Sequence, residues 1–121
     1  MAKIESFEDI QGWQKARELT RCVYTLTNNE ILARDFVLRD QLRRAAISIM
    51  SNIAEGFESQ NDKTFVRYLY IAKASCGEVR AQAYIASDQN YISQTEFADL
   101  KTLCIQTSKL ISGFIAYLSH T

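Results

Sequence analysis

Apolar residues recur along this chain every three or four positions, with no sustained alternation of apolar and polar residues. Phe65, Leu69, Ala72, Cys76, Val79, Ala83 and Ala86 follow an unbroken four-three alternation, which places one apolar stripe along one face of an α-helix. Phe97, Leu100, Cys104, Thr107, Ile111, Phe114 and Leu118 repeat it to the end of the chain. Leu38, Leu42, Ala45, Ile49 and Ile53 form a third such seam, and Trp13, Ala16, Thr20, Val23 and Thr27 a fourth. The pattern predicts four helices and no strand.

Helix boundaries are marked by weaker signals. Ser6-Phe7-Glu8-Asp9 resembles a capping box with Asp in place of Glu and should start helix one, which ends near Asn28-Asn29. Helix two begins within 29–35 and runs to Gly56, read here as its C′ residue. Asp35 with Arg39 and Asp40 with Arg44 are acid-first i,i+4 pairs that support it. A loop over 57–61 leaves Asn61 or Asp62 to cap helix three. A break over 87–92 precedes Ser93-Gln94-Thr95-Glu96, a full capping box for helix four.

Four helices of about 20 residues, each ~30 Å long, joined by short loops, predict an all-α, up-down-up-down four-helix bundle. With 121 residues the chain is one domain, 1–121. Each buried large apolar side chain contributes roughly 1.5–3 kcal/mol, so packing of the seams outweighs surface charge.

Beyond the seams lies surplus apolar surface. Helix two carries a second stripe, Ile47, Met50, Ala54 and Phe57, more than a quarter turn from its core seam. Helix four repeats Leu103, Leu110 and Tyr117 at intervals of seven, and helix three carries Tyr70, Ala74, Gly77 and Ala81 on one flank. Such surplus implies a protein partner, by default another copy of the chain, in preference to the alternative that a wide core face absorbs these residues. Ile47, Met50, Phe57, Tyr70, Leu103, Leu110 and Tyr117 are therefore the expected oligomer interface. Trp13 reads as a core or interface anchor.

Composition removes several classes of function. The chain has no proline and four glycines, which suits long helices. Fourteen basic residues balance fourteen acidic ones, so no global field draws it to a polyanion. The three cysteines, Cys22, Cys76 and Cys104, form no C-x-x-C and leave one unpaired in any intramolecular scheme. Reduced thiols fit a cytoplasmic protein, and Cys76 and Cys104 read as small core hydrophobes. The opening MAKIESFEDI has acids where a signal peptide needs an apolar run. The segment 102–121 is interrupted by Gln106, Thr107, Ser108, Lys109 and Ser112, so no membrane span is expected.

The segment LRRAAISIMSNIAEG, residues 42–56, holds the most distinctive polar pattern. On a helical wheel Arg44, Ser48, Ser51 and Glu55 form a narrow strip with Asn52 at its edge. Arg44 and Glu55 are three turns apart and cannot pair within one helix. Helix three offers Ser75, Glu78 and Gln82 on a comparable strip, so a register-setting network of Arg44, Asn52, Glu55, Glu78 and Gln82 is expected. The competing reading joins Arg39, Arg43 and Arg44 with Lys63 and Arg67 in a phosphate-binding patch, diluted by Asp35, Asp40, Glu55 and Glu58.

QLRRAAISIMSNIAEGFES, FVRYLYIAKASCGEVRAQ and the upstream FEDIQGWQKARELTRCVY together resemble the four-helix-bundle family of 23S rRNA intervening-sequence proteins, which also includes the accessory variability proteins of diversity-generating retroelements. The block 41–56 is the most specific part. The resemblance implies a small cytoplasmic bacterial helical protein assembling as a homopentamer, with Arg43, Arg44, Asn52, Glu55 and Gly56 as signature positions. The retroelement relatives are basic and associate with nucleic acid and a reverse transcriptase; this chain is neutral. Family members often have proline where this chain has Met50.

Catalysis needs a nucleophile with a base, paired acids in a cleft or a metal set. The single histidine, His120, is the penultimate residue, and no phosphate loop or Glu-x-x-His motif is present. No cofactor is expected. The sequence therefore predicts a non-enzymatic homo-oligomeric scaffold or adaptor, with RNA or DNA binding through a basic rim of the oligomer as the alternative.

Overall fold

A computed structural model describes residues 4–120. Four long helices account for most of them: α1, Gln11–Thr27; α2, Phe36–Glu58; α3, Asp62–Asp88; and α4, Gln94–Ser119. Two short 3-10 turns, Phe7–Asp9 and Leu32–Arg34, precede α1 and α2. No strand occurs among the described residues. Each helix packs on its two neighbours around a ring, α1 on α2 and α4, and α3 on α2 and α4. Gly12 near the start of α1 faces Ile111 near the end of α4, and Asn29 after α1 bonds Tyr91 before α4. The helices therefore alternate up and down, as expected.

The caps explain where the helices start. The Ser6 capping box exists, with the Asp9 carboxylate accepting from the Ser6 N–H at 3.2 Å, but it closes the 3-10 turn. The chain then re-enters extended backbone at Ile10, and α1 begins at Gln11. Asp35 caps α2 by accepting from the Leu38 N–H at 3.1 Å, Asn61 caps α3 through the Thr64 N–H at 2.9 Å, and Ser93 with Glu96 caps α4 reciprocally. Neither expected i,i+4 ion pair on α2 forms. Asp35 is occupied by its cap and by the Tyr91 hydroxyl, while Arg39 bonds the adjacent Asp40 at 2.9 Å.

Gly56 also departs from expectation. It is buried inside α2, which continues to Glu58, and it lacks the positive φ of a C′ glycine. A Cβ there would lie 2.6 Å from Phe65 Cδ1 and 2.9 Å from Tyr68 Cβ, so the glycine lets α2 and α3 approach closely. The left-handed turn falls on Gln60 (φ 55), and after α3 on Asn90 (φ 60).

All seven seam residues of α3 and all five of α2 are buried. On α4 the core is Leu100, Cys104, Thr107, Ile111 and Ile115, with Phe97, Phe114 and Leu118 half-buried at its edge. Helix one is rotated from its expected face. Leu19 and Leu26 enter the core beside Ala16 and Val23, leaving Trp13 and Thr20 on the flank. Leucines gain more from burial than a threonine whose hydroxyl donates to Ala16 O at 2.8 Å and Ala46 O at 3.3 Å. Trp13 packs edge-on against Phe7 at 5.2 Å, with Arg17 5.9 Å from its ring. No helix among the described residues is long and apolar enough to cross a membrane.

Candidate interaction surfaces

The α2–α3 interface holds a short polar bridge. Ser48 and Ser75 meet hydroxyl to hydroxyl at 2.9 Å, and the Asn52 amide donates to Ser48 O at 2.8 Å and Ser48 Oγ at 3.0 Å. Of the expected network only Asn52 takes part, bonded to Ser48 of its own strip, which meets Ser75 of the α3 strip and ties the two helices in register. The charged members are not brought together: Arg44, Glu55 and Glu78 are exposed and in no ion pair among the described residues. Gln82 points one amide oxygen into a buried position without a hydrogen-bond partner. Short neutral side chains reach one another across closely packed helices; the longer charged ones reach water.

The basic residues divide into two groups. Arg43 is a structural clamp: its Nε donates to Thr27 Oγ1 at 2.8 Å, a second nitrogen donates to Asn28 Oδ1 at 2.9 Å, and its guanidinium lies 4.7 Å from the Tyr24 ring centroid. It ties the end of α1 to α2. Arg39 bonds Asp40, donates to Ala33 O at 3.3 Å and lies 4.9 Å from the centroid of the exposed Phe36 ring. The hydrogen bond from Arg39 holds the Asp40 carboxyl below its ordinary range. Arg44, Lys63 and Arg67 remain exposed. With Ser48 opposite Ser75, Arg44 and Arg67 are about 18 Å apart along the hairpin, and Arg39 and Lys63 about 30 Å, at ~1.5 Å per residue. One subunit does not gather the five expected residues into one patch.

The expected interface residues also separate. Met50, Phe57 and Leu103 are half-buried against the core, and Leu110 lies against Gly12. Ile47, Tyr70 and Tyr117 are exposed, at 45%, 56% and 46%. Sequence reasoning missed Ile31, Phe36, Val37, Ile71, Tyr84 and Ile85, which are equally open. Tyr84 stacks edge-on with Phe97 at 4.8 Å under the Lys101 ammonium, and hydrogen bonding to that ammonium lowers the pKa of its hydroxyl.

Chemically reactive groups are subdued. Burial, with a smaller contribution from a neighbouring cysteine, pushes the Cys76 and Cys104 thiols up to about 12. Cys22 is raised by burial and then by Asp99 and Glu96. All three are free thiols whose thiolate forms are disfavoured by burial. Among the described residues no group of three His, Cys, Asp or Glu is placed to hold a metal ion. A groove of about 350 Å³ runs along Gly12, Leu110, Gly113 and Phe114, where Asp9 and Lys109 contribute opposite charges. A shallower depression of about 720 Å³ lies by the α2–α3 loop, lined by Phe57, Phe65, Asn61 and Tyr117. At the other end of the bundle, the Tyr91 hydroxyl donates to Asp35 at 3.1 Å and Asn29 donates to Tyr91 O at 3.1 Å, clasping the two loops.

The model of the 23S rRNA-intervening sequence protein family matches residues 8–113, from the first 3-10 turn through most of α4. The chain belongs to the 23S rRNA-intervening sequence protein family. The matched range takes in α1, α2, α3 and α4 as far as residue 113. No curated protein matches this family member. It is similar in fold to a solved protein of unknown function from the S23 ribosomal protein family of Bacteroides thetaiotaomicron VPI-5482, with a TM-score of 0.78 and 23% identity over 86% of this chain and 97% of that one.

Proposed function

We propose that this family member is a non-enzymatic, homo-oligomeric helical scaffold or adaptor. The observation carrying this reading is the exposed apolar surface that one bundle leaves uncovered: Ile47 and Phe36 on α2, Tyr70, Ile71, Tyr84 and Ile85 on α3, and Tyr117 on α4. Large exposed apolar side chains grouped on helix faces favour a protein partner, and a second copy is always present at equal concentration. Five subunits are the number that the resemblance implies. Protonated core thiols and a lone exposed His120 favour binding over catalysis, and unpaired cysteines favour a reducing compartment such as the cytoplasm. Light scattering and sedimentation at micromolar concentration test the reading; a monomer removes it.

A second reading, RNA or DNA binding, is favoured by Arg44, Lys63 and Arg67, which are exposed and in no ion pair among the described residues. Symmetry repeats each of them around an assembly, so residues too far apart in one subunit gain neighbours from others. A binding titration across salt discriminates, because phosphate contacts weaken as salt rises. Absence of binding at low salt ends this reading.

A further inference from the structure

The geometry points to an antiparallel, twofold pairing of α3 with α3 of a second copy. This deepens the homo-oligomer reading and rests on it. Besides its buried seam, α3 carries a second four-three alternation on its outer face: Lys63, Arg67, Tyr70, Ala74, Gly77, Ala81, Tyr84 and Asp88, every one exposed. A helix surface with that spacing presents a straight coiled-coil seam. Within the subunit only Tyr84 at one end of this face is engaged, against Phe97 and Lys101; Tyr70, Ala74, Gly77 and Ala81 stand open. A Cβ built on Gly77 would meet no atom within 4 Å, although glycine weakens the middle of a helix relative to alanine. The small residues at the centre of this face are explained by close approach of something outside the subunit.

Charge and size select the occupant and its direction. In an antiparallel pair related by an axis between Ala74 and Gly77, Ala74 meets Gly77 of the second copy, where the backbones come nearest. One layer out, the Tyr70 ring covers Ala81 of the copy, large against small. Beyond that, Arg67 reaches the Tyr84 ring, and outermost Lys63 meets Asp88. Each contact occurs twice, as a twofold interface requires. A parallel pair would instead stack Lys63 on Lys63, Tyr70 on Tyr70 and Asp88 on Asp88, opposing like charges and bulky rings. Lys73 and Arg80 flank the antiparallel seam as its one like-charged pair, on stems long enough to turn to water. The seam spans most of the 27 residues of α3, about 40 Å. Such a contact joins two chains or two rings; it does not close a ring of five.

Light scattering and sedimentation of the full chain, with far-UV circular dichroism to confirm folding, test the pairing. Gly77→Arg drives a long side chain into the closest layer and is expected to halve the particle mass while helicity is kept. Lys63→Asp or Asp88→Lys alone sets like charges opposite and weakens self-association about tenfold; the two together restore it. An assembly unchanged by Gly77→Arg, or a double reversal no better than either single one, overturns the inference and leaves the homo-oligomer reading standing. A monomeric wild-type chain overturns both. Loss of RNA binding in Lys63→Asp that Asp88→Lys does not restore, with mass unchanged, assigns this face to nucleic acid and overturns the pairing.

Discussion

Leu69 and Tyr70 are neighbours in sequence and lie on opposite faces of α3, one 1% exposed and the other 56%. The inner face carries Phe65, Leu69, Ala72, Cys76, Val79, Ala83 and Ala86; the outer carries tyrosines, small residues and, at its two ends, charges. The spacing is identical, so periodicity alone does not say which face the chain covers with itself. Composition does. Branched and aromatic residues with no polar atoms gain most from complete burial, while tyrosine keeps a hydroxyl that must find water or a partner. The two glycines of α2 and α3 make the same distinction. Gly56 is pressed against Phe65 and Tyr68, and Gly77 faces open space.

The sharpest break in this comparison is Leu69→Ala against Tyr70→Ala. Removing Leu69 opens a cavity among fully buried neighbours, and urea unfolding is expected to show a loss of about 2–5 kcal/mol. Removing Tyr70 is expected to cost the subunit less than about 0.5 kcal/mol. A comparable loss from both that does not vary with chain concentration would mean that the outer face contributes to the subunit fold. Gly56→Ala is next, because the added methyl must displace the Phe65 ring and part of the Tyr68 side chain, at about 1–3 kcal/mol by the same measurement. Arg43→Ala leaves the buried Thr27 hydroxyl and Asn28 without their α2 partner and is expected to cost about 1–2 kcal/mol.

Gly77→Ala should move the other way within the subunit and stabilise the helix by about 0.5–1 kcal/mol, since nothing in the subunit fills that space, while loosening the contact with a second copy. The smallest effect at neutral pH belongs to the thiols. Cys76 and Cys104 shift from an ordinary value of 9.0 to about 12 in the folded chain. The unfolded chain loses those protons first, so stability is unaffected below about pH 9 and falls as pH rises from there toward 12. A stability profile that stays flat over that window in the wild type, or is equally steep in Cys76→Ala/Cys104→Ala, would show that the thiols do not control it.

Much of the fold is legible from position alone. The seams of α2 and α3, the Asn61 and Ser93 caps and the up-down order all follow from spacing and short loops. Helix one was harder to read, because Trp13 and Thr20 fit a seam as well as Leu19 and Leu26 do, and only the area each buries against α2 and α4 decides the rotation. The polar strip was legible as a strip but not as a set of bonds. Ser48, Asn52 and Ser75 are short enough to meet at the α2–α3 separation, while Arg44 and Glu55 extend past it. Arg43 read as a free cation because its partners, Thr27 and Asn28, lie across a loop whose path the sequence does not state.

By itself, then, the sequence determined that the chain is helical, where α3 and α4 begin, and that α2, α3 and α4 each carry more apolar surface than one seam uses. These are local properties, set by backbone propensity, capping chemistry and the 3.6-residue period. The tertiary structure decided which surplus is absorbed and which stays open. Met50, Phe57 and Leu103 lean onto the core, while Ile47, Tyr70 and Tyr117 do not. That choice depends on how closely neighbouring helices approach, and a single hydrogen at Gly56 sets the α2–α3 approach, which no periodicity records.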